Sequence, residues 1–163
     1  MTSTIYSTTF DSPIGEITLA ATDVAICGLY FEKHKPAPKR DGWRRDDGAR
    51  FDAARRWLQA YFGGEKLPKK PAFAFESGTD FQRRVWAVLK TIPRGRTMTY
   101  AEIAREIGSV GAARAVGAAV GRNPLSILVP CHRVVGGGGS LTGFAGGLER
   151  KKWLLEHEGA LAA

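Results

Sequence analysis

Only two cysteines, Cys27 and Cys131, occur among the 163 residues. That excludes a disulfide framework and a CxxC metal pattern, and free thiols suit a reducing, cytosol-like compartment. Long apolar runs are also missing, so no segment is expected to span a bilayer. The start, Met1-Thr2-Ser3-Thr4-Ile5-Tyr6, lacks the charged opening and apolar stretch of a signal peptide. No internal repeat is present, and no low-complexity tract beyond the glycines Gly136 to Gly139. Acidic residues are the minority: 24 Lys and Arg against 16 Asp and Glu leave a formal charge of +8. That balance favours an acidic partner such as nucleic acid or anionic lipid. The length allows one domain or two small ones.

What is present divides the chain near Gly78. Residues 5 to 31 read as β structure: Ile5 to Phe10, a turn at Asp11-Ser12-Pro13-Ile14-Gly15, then Glu16 to Ala21 and Ile26 to Phe31 around Thr22-Asp23. Lys33 to Arg45, charged and carrying Pro36 and Pro38, reads as an exposed connection. Phe51, Ala54, Leu58 and Phe62 are spaced for an amphipathic helix that Gly63-Gly64 ends. A linker with a short strand at Ala72-Phe73-Ala74-Phe75 follows. Past Gly78 the pattern turns helical. Thr79-Asp80-Phe81-Gln82 and Thr99-Tyr100-Ala101-Glu102 both read as capping boxes, in which side chains satisfy the free backbone donors of a helix start. Phe81, Val85, Trp86 and Leu89 form one apolar face, and Pro93-Arg94-Gly95 stops that helix. A helix from Thr99 through Ile107, the turn Gly108-Ser109-Val110-Gly111 and a helix from Ala112 to Val120 match a helix-turn-helix. The expected architecture is α/β (α+β): an N-terminal β-rich domain over 1–77 and a mostly helical domain over 78–163.

The third of these helices surrounds one long side chain, Arg114, with Ala112, Ala113, Ala115, Gly117, Ala118 and Ala119. Small side chains allow close helix–helix packing. They equally allow a helix to press into the minor groove of DNA, with Arg114 as its only probe.

The stretch Val129-Pro130-Cys131-His132-Arg133-Val134 carries the chemistry. A cysteine nucleophile acts as thiolate and needs a base or positive surroundings. His132 is adjacent, and because neighbouring side chains diverge, a bridging water or a tight turn must connect the two. An orienting carboxylate behind the histidine would complete a relay, and Glu156 and Glu158 are both candidates. In a helix starting near Leu148, Trp153 and Leu154 are expected to face the core.

Ile127 to Val135 resembles the active-site signature of the 6-O-alkylguanine-DNA alkyltransferases, the methylated-DNA–protein-cysteine methyltransferases. The likeness covers Gly78 to Gly159. It includes Phe81-Gln82-Arg83-Arg84-Val85-Trp86, Thr99-Tyr100, Ala113-Arg114-Ala115-Val116-Gly117, Asn123-Pro124 and His157-Glu158-Gly159, while Asp11-Ser12-Pro13-Ile14-Gly15 is similar to the family's first hairpin. The resemblance implies a ribonuclease-H-like first domain. It also implies stoichiometric transfer of an alkyl group from a flipped guanine to Cys131, since the alkylated oxygen is blocked inside the duplex. Residue by residue, it implies that His132 deprotonates Cys131 through a water and that Glu158 orients His132. Asn123 fixes the turn before the active-site loop. Tyr100 meets the base and the adjacent phosphate, and Arg114 fills the gap in the stack. Ala113, Val134, Phe144, Ala145 and Gly146 line the contact with DNA and base.

In Gly143-Phe144-Ala145-Gly146-Gly147 this chain has Phe where many members have Tyr, so the aromatic wall stays and a hydroxyl is lost. Ala145 offers only its backbone N–H. Cys27 and His34 are too few for the zinc site of some members, so no metal is expected, and Cys27 reads as core. The alkyl group comes from the DNA, so no cofactor is implied. The implied partner is double-stranded DNA containing 6-O-alkylguanine, bound through the minor groove largely independently of sequence, by a monomer with no membrane contact. The implied location is cytoplasmic and nucleoid-associated, or nuclear in a eukaryote. Two rivals predict different behaviour. A cysteine hydrolase turns over, and a DNA-binding regulator reads one sequence without using the thiol.

Overall fold

Strand formation begins where alternation and β-branched residues allow it. The computed structural model describes residues 4–161; the leader reading rests partly on Met1-Thr2-Ser3, which lie outside them. The protein is mixed α/β and falls into two compact units that divide between Glu76 and Ser77.

In the first unit, β1 (Tyr6–Ser12) and β2 (Gly15–Ala21) pair antiparallel in full register from Tyr6 opposite Ala21 to Ser12 opposite Gly15. The strands run further into the expected turn than the sequence indicates, leaving Pro13 and Ile14 alone at the tip. Pro13 cannot donate to a ladder, and Gly15 takes φ +112, so the reversal is confined to the two residues between Ser12 and Gly15. β3 (Ile26–Phe31) pairs antiparallel with β2. The expected exposed connection contains more structure than its charge suggests. Arg44–Arg45 forms a short β4 parallel to β1, giving the sheet order β3-β2-β1-β4, and His34 is buried. Backbone hydrogen bonding draws Arg44 into the edge, through its N–H to the Ile5 carbonyl at 2.9 Å, and Arg45 and Asp47 add side-chain bonds to Thr9 and Thr8. The expected strand at 72–75 reduces to a single bridge between Ile26 and Phe73.

β2 buries Ile17 through Ala21 on both faces, which is why Ala20 and Ala21 occur where a one-sided strand would alternate with polar residues. The helix α1 (Asp52–Phe62) adds Ala54, Trp57, Leu58, Ala60 and Tyr61 to this core, after a 3-10 turn that buries Phe51. Each fully buried large apolar side chain of this kind contributes about 1.5–3 kcal/mol.

In the second unit both expected capping boxes form. Thr79 and Gln82 exchange side-chain hydrogen bonds with each other's backbone N–H at the start of α2 (Asp80–Leu89), and Thr99 and Glu102 do so at α3 (Tyr100–Glu106). Gly78, at φ +129, seats its backbone against Trp86: a Cβ there would lie 2.6 Å from the indole. Trp86 in turn donates its indole N–H to the Ala119 carbonyl at 2.9 Å, tying α2 to α4 (Ala113–Gly121). The α3–α4 turn carries Gly108 and Gly111 at φ +74 and +87, where a side chain would be strained. A long loop leads to a 3-10 turn at Cys131–Arg133, then to β6 (Val134–Val135), which pairs parallel with β5 (Met98–Thr99). The chain ends in α5 (Leu148–His157). Here the core expectation needs one correction: Leu154 and Leu155 are buried, whereas Trp153 is half-exposed and stacks on His157 with ring centroids 4.7 Å apart. Among the described residues, no helix is long and apolar enough to cross a membrane.

Candidate active site

The β5–β6 pairing decides what meets what. β5 ends directly before Tyr100, and β6 begins directly after Arg133, so Met98 opposite Val134 brings the start of α3 beside the cysteine loop. The loop itself is clipped by Asn123. Its Nδ2 donates to the Val129 carbonyl at 2.9 Å, and its Oδ1 accepts from the Leu125 N–H at 3.0 Å. Both ends of one buried amide are thereby used, which holds residues 123–129 as a closed turn. Ile127, at φ +69 and 2 % exposed, sits in the left-handed region inside that turn. A β-branched residue there is strained by about 1–3 kcal/mol, so burial and the Asn123 clip must hold it.

Cys131 is buried at 3 % exposure and His132 at 0 %. His132 Nε2 lies 2.8 Å from Glu158 Oε2, and its Nδ1 is buried with no hydrogen-bond partner from the described protein groups. Of the two carboxylates the sequence left open, Glu158 is the one at His132. Glu156 is instead 3.8 Å from Lys152 on the outer side of α5. Arg133 grips Glu158 from the other side, Nε to Oε1 at 2.8 Å and an outer nitrogen to Oε2 at 3.0 Å, and donates to the Ile92 carbonyl at 2.6 Å.

The electrostatics follow from burial. Burial pushes the Cys131 thiol above its ordinary value, against the pull of Asn123 and Ser126 hydrogen bonding and of the Lys151 charge. Burial pushes His132 below its ordinary value; Glu158 pulls it up, while Arg133 and Lys151 push it further down. Burial also opposes a charge on Glu158, but the hydrogen bonds from His132 and Arg133 outweigh it and hold the carboxyl well below the usual carboxylate range. The resting state is therefore a neutral thiol, a neutral imidazole and an ionised carboxylate. Such a carboxylate accepts a proton-bearing Nε2, so Nδ1 is the basic nitrogen.

Three residues that the sequence reading gave no role meet at this site. Ser126 is fully buried, its hydroxyl has no hydrogen-bond partner among the described groups, and it lies near enough to pull the Cys131 thiol downward. Arg133 is described above. Lys151 is buried on α5, donates to the carbonyls of Thr142 at 2.8 Å and Gly143 at 3.3 Å, and titrates at about 8 because burial disfavours its charge. The helical spacing of Lys151, Leu154, Leu155 and Glu158 was a readable signal, since all four fall on one face. Ser126 left no comparable pattern.

The remaining expected residues lie on α3, α4, β6 and the loop leading into α5. Tyr100 is half-exposed and accepts a hydrogen bond from the Thr142 hydroxyl at 3.0 Å. Val134 is buried, Phe144 and Ala145 are half-exposed, and Gly146 is buried with its carbonyl held by Arg150 at 3.0 Å. On α4, Val116, Ala119 and Val120 face inward, while Arg114, Ala115 and Ala118 are exposed and Ala113 is half-exposed. Cys27 lies in the first unit, and burial raises its thiol to about 11. Among the described residues, no group of three or more His, Cys, Asp or Glu could hold a metal ion.

A buried thiol beside a histidine–carboxylate pair, carried on a helix-turn-helix unit, defines a class: a cysteine-nucleophile protein built on a DNA-binding scaffold. Comparison with known proteins narrows it. Residues 80–160 match the DNA binding domain of 6-O-methylguanine DNA methyltransferase, and residues 5–70 match the ribonuclease-like domain of the same family. A methylated-DNA–protein-cysteine methyltransferase from Mycobacterium tuberculosis is 50 % identical over 154 residues, covering 94 % of this chain and 92 % of the relative. One from Methanosarcina acetivorans is 46 % identical over 157 residues, covering 96 % and 99 %. The crystal structure of Mycobacterium tuberculosis OGT in complex with DNA superposes with a TM-score of 0.88 at 48 % identity, covering 95 % of this chain and 93 % of that one. The chain belongs to the 6-O-methylguanine DNA methyltransferase family.

Proposed function

We propose that this protein repairs DNA by direct reversal, moving the alkyl group of a 6-O-alkylguanine in duplex DNA onto Cys131 in a single turnover. The observation that carries the reading is the buried Cys131 followed by His132, whose Nε2 is 2.8 Å from Glu158. The thiol is buried rather than on the surface, so the damaged base must leave the stack to meet it. The Cys131 sulfur bonds to the alkyl carbon as the carbon–oxygen bond breaks. The electron pair leaves on guanine, which takes its proton from the Tyr100 hydroxyl, while the thiol proton passes through a water to His132 Nδ1. It returns to Tyr100 through solvent, so that the proton lost by the thiol equals the one gained by guanine. A thiol that burial keeps protonated needs such a base. The thioether product has no easy hydrolysis route, so each molecule acts once.

Asn123 is the positioning residue for the loop, and Glu158 orients His132. Tyr100, beside the loop of Thr142, donates to the departing base and crowds the adjacent phosphate. Arg114, exposed among the small residues of α4, occupies the gap in the stack while Ala113 lies against the groove. Val134, Phe144, Ala145 and Gly146 form the pocket wall, with the Ala145 N–H directed at the guanine oxygen. Binding is through the minor groove, largely independent of sequence and strongly salt-dependent, by a monomer at the chromosome in the cytoplasm. No cofactor enters the balance.

Intact-mass analysis after incubation with a duplex carrying one 6-O-methylguanine, followed by peptide mapping, tests this. The expected result is one methyl group per molecule on Cys131 with excess duplex left unrepaired, and none with C131S, which keeps DNA binding. Unchanged mass in the wild type under reducing conditions overturns the reading.

A further inference from the structure

We propose that Arg133 is a positioning residue that keeps His132 Nδ1 free of its proton, acting through its two-point grip on Glu158. The inference rests on the reading of His132 as the base. The geometry is a chain of buried contacts: Arg133 to both oxygens of Glu158 at 2.8 and 3.0 Å, and Glu158 Oε2 to His132 Nε2 at 2.8 Å. The His132 and Glu158 side chains have no exposure, and Arg133 only 12 %.

Consider the same site without the guanidinium. A lone buried carboxylate has two ways to lose its uncompensated charge. It can draw a proton onto the histidine, making an imidazolium that carries hydrogen on both nitrogens. Otherwise it can take the proton itself and donate it to Nε2, which leaves the imidazole proton on Nδ1. Both outcomes put hydrogen on Nδ1, and neither can accept the thiol proton. With Arg133 present the carboxylate is already neutralised, so it only accepts from Nε2–H and Nδ1 stays basic. The other charges near the ring are consistent with this: Lys151 and Arg133 disfavour an imidazolium, Glu158 favours it, and the neighbouring Cys131 is neutral at rest. Burial is the main reason His132 lies below its ordinary value despite a carboxylate at hydrogen-bond distance, and the Arg133 charge adds to that direction. Arg133 also anchors to the Ile92 carbonyl at 2.6 Å, so its fork is pre-placed by the backbone after α2.

The test compares wild type, Arg133→Met and Arg133→Lys by single-turnover methyl transfer across pH 5.5–9.5. It is joined by nitrogen-15 NMR of the His132 ring in the wild type. The expected wild-type ring is the neutral Nε2–H form at pH 7, with a rate that holds below pH 6.5. Arg133→Met is expected to be at least tenfold slower at pH 7 and to recover to within threefold of wild type at high pH, as the extra proton leaves. Arg133→Lys, keeping charge without the fork, should fall between. A merely structural role would lower the rate by the same factor at every pH, and that result overturns the proposal. If Arg133→Met does not fold, the Arg133→Lys profile decides in the same way. An imidazolium or Nδ1–H ring in the wild type at pH 7 overturns it without any variant. Absence of transfer by the wild type at every pH would instead remove the functional reading itself.

Discussion

At the scale of single residues the site is governed by what burial does to charge. Burial alone would leave Cys131 protonated and His132 uncharged, so nucleophile and base exist only in relation to a few polar neighbours. Ser126 is the sharpest case, because its buried hydroxyl has no hydrogen-bond partner among the described groups and is free to turn toward a thiolate. A hydrogen bond to a charged group is worth about 1.5–3 kcal/mol. Ser126→Ala should therefore slow methyl transfer about tenfold or more at pH 7, with the deficit closing at high pH, where the thiolate forms without help. A pH–rate profile showing an equal loss at all pH would place Ser126 outside thiolate stabilisation. Cys131, His132 and Glu158 stood out as candidates because the proposed chemistry needs a nucleophile, a base and a carboxylate, and each type stands in a short conspicuous segment. Tyr100 and Asn123 were legible only through family likeness, as an aromatic at a helix start and an Asn before a proline have ordinary readings. Arg133 stood in plain view in Pro-Cys-His-Arg, yet its partner is 25 residues away. No local pattern reports such a contact.

Elements were most readable where the signal is local. Both capping boxes form as the spacing predicts, because the reciprocal bonds need only residues three apart. Thr79→Ala and Thr99→Ala should each cost about 0.5–2 kcal/mol of stability in urea unfolding. Only Thr99→Ala should also weaken DNA binding and transfer, since Thr99 pairs with Val135 and directly precedes Tyr100. Equal effects of both variants on binding would show that α3 placement does not matter to the DNA surface. On α4 the inward residues Val116, Ala119 and Val120 leave Arg114, Ala115 and Ala118 outward. The helix thus packs closely on one side and leaves a smooth face of small residues exposed on the other. Ala118→Glu should fold normally but bind duplex at least about tenfold more weakly at low salt, as a carboxylate there meets phosphate charge. Fluorescence anisotropy with undamaged duplex reads it. The short strand β4 and the reduced pairing at Phe73 escaped prediction for one reason: edge pairing uses backbone groups that every residue carries.

On the scale of the whole molecule, charge and pH separate the two units. Of the net charge of +8, residues 77–163 hold +6, with twelve Lys and Arg against six Asp and Glu. The basic partner surface thus belongs mainly to the helical unit. That unit also carries the acid-sensitive groups. His132 and Glu158 are both pushed below their ordinary values in the folded state, so the unfolded chain binds more protons on acidification. Their stabilisation is present above pH 6.5 and is lost as pH falls below it, first through His132 and then through the carboxylate range. Calorimetry of the whole chain at pH 7.5 and pH 5 should show the transition of the helical unit moving down, and R133M should show a different acid limb. An unchanged transition would mean that His132 takes up its proton over the same pH range in the folded chain as in the unfolded one. The sequence by itself determined the class of fold, the helix starts, the cysteine nucleophile and the family, because periodicity, caps and a short ordered motif are local properties of the chain. Tertiary structure alone decided that Glu158 rather than Glu156 reaches His132, that Arg133 pairs with that carboxylate, and that Ser126 and Lys151 come near enough to act on the thiol. Those are distances between segments far apart in the chain, brought together by packing and by the β5–β6 pairing.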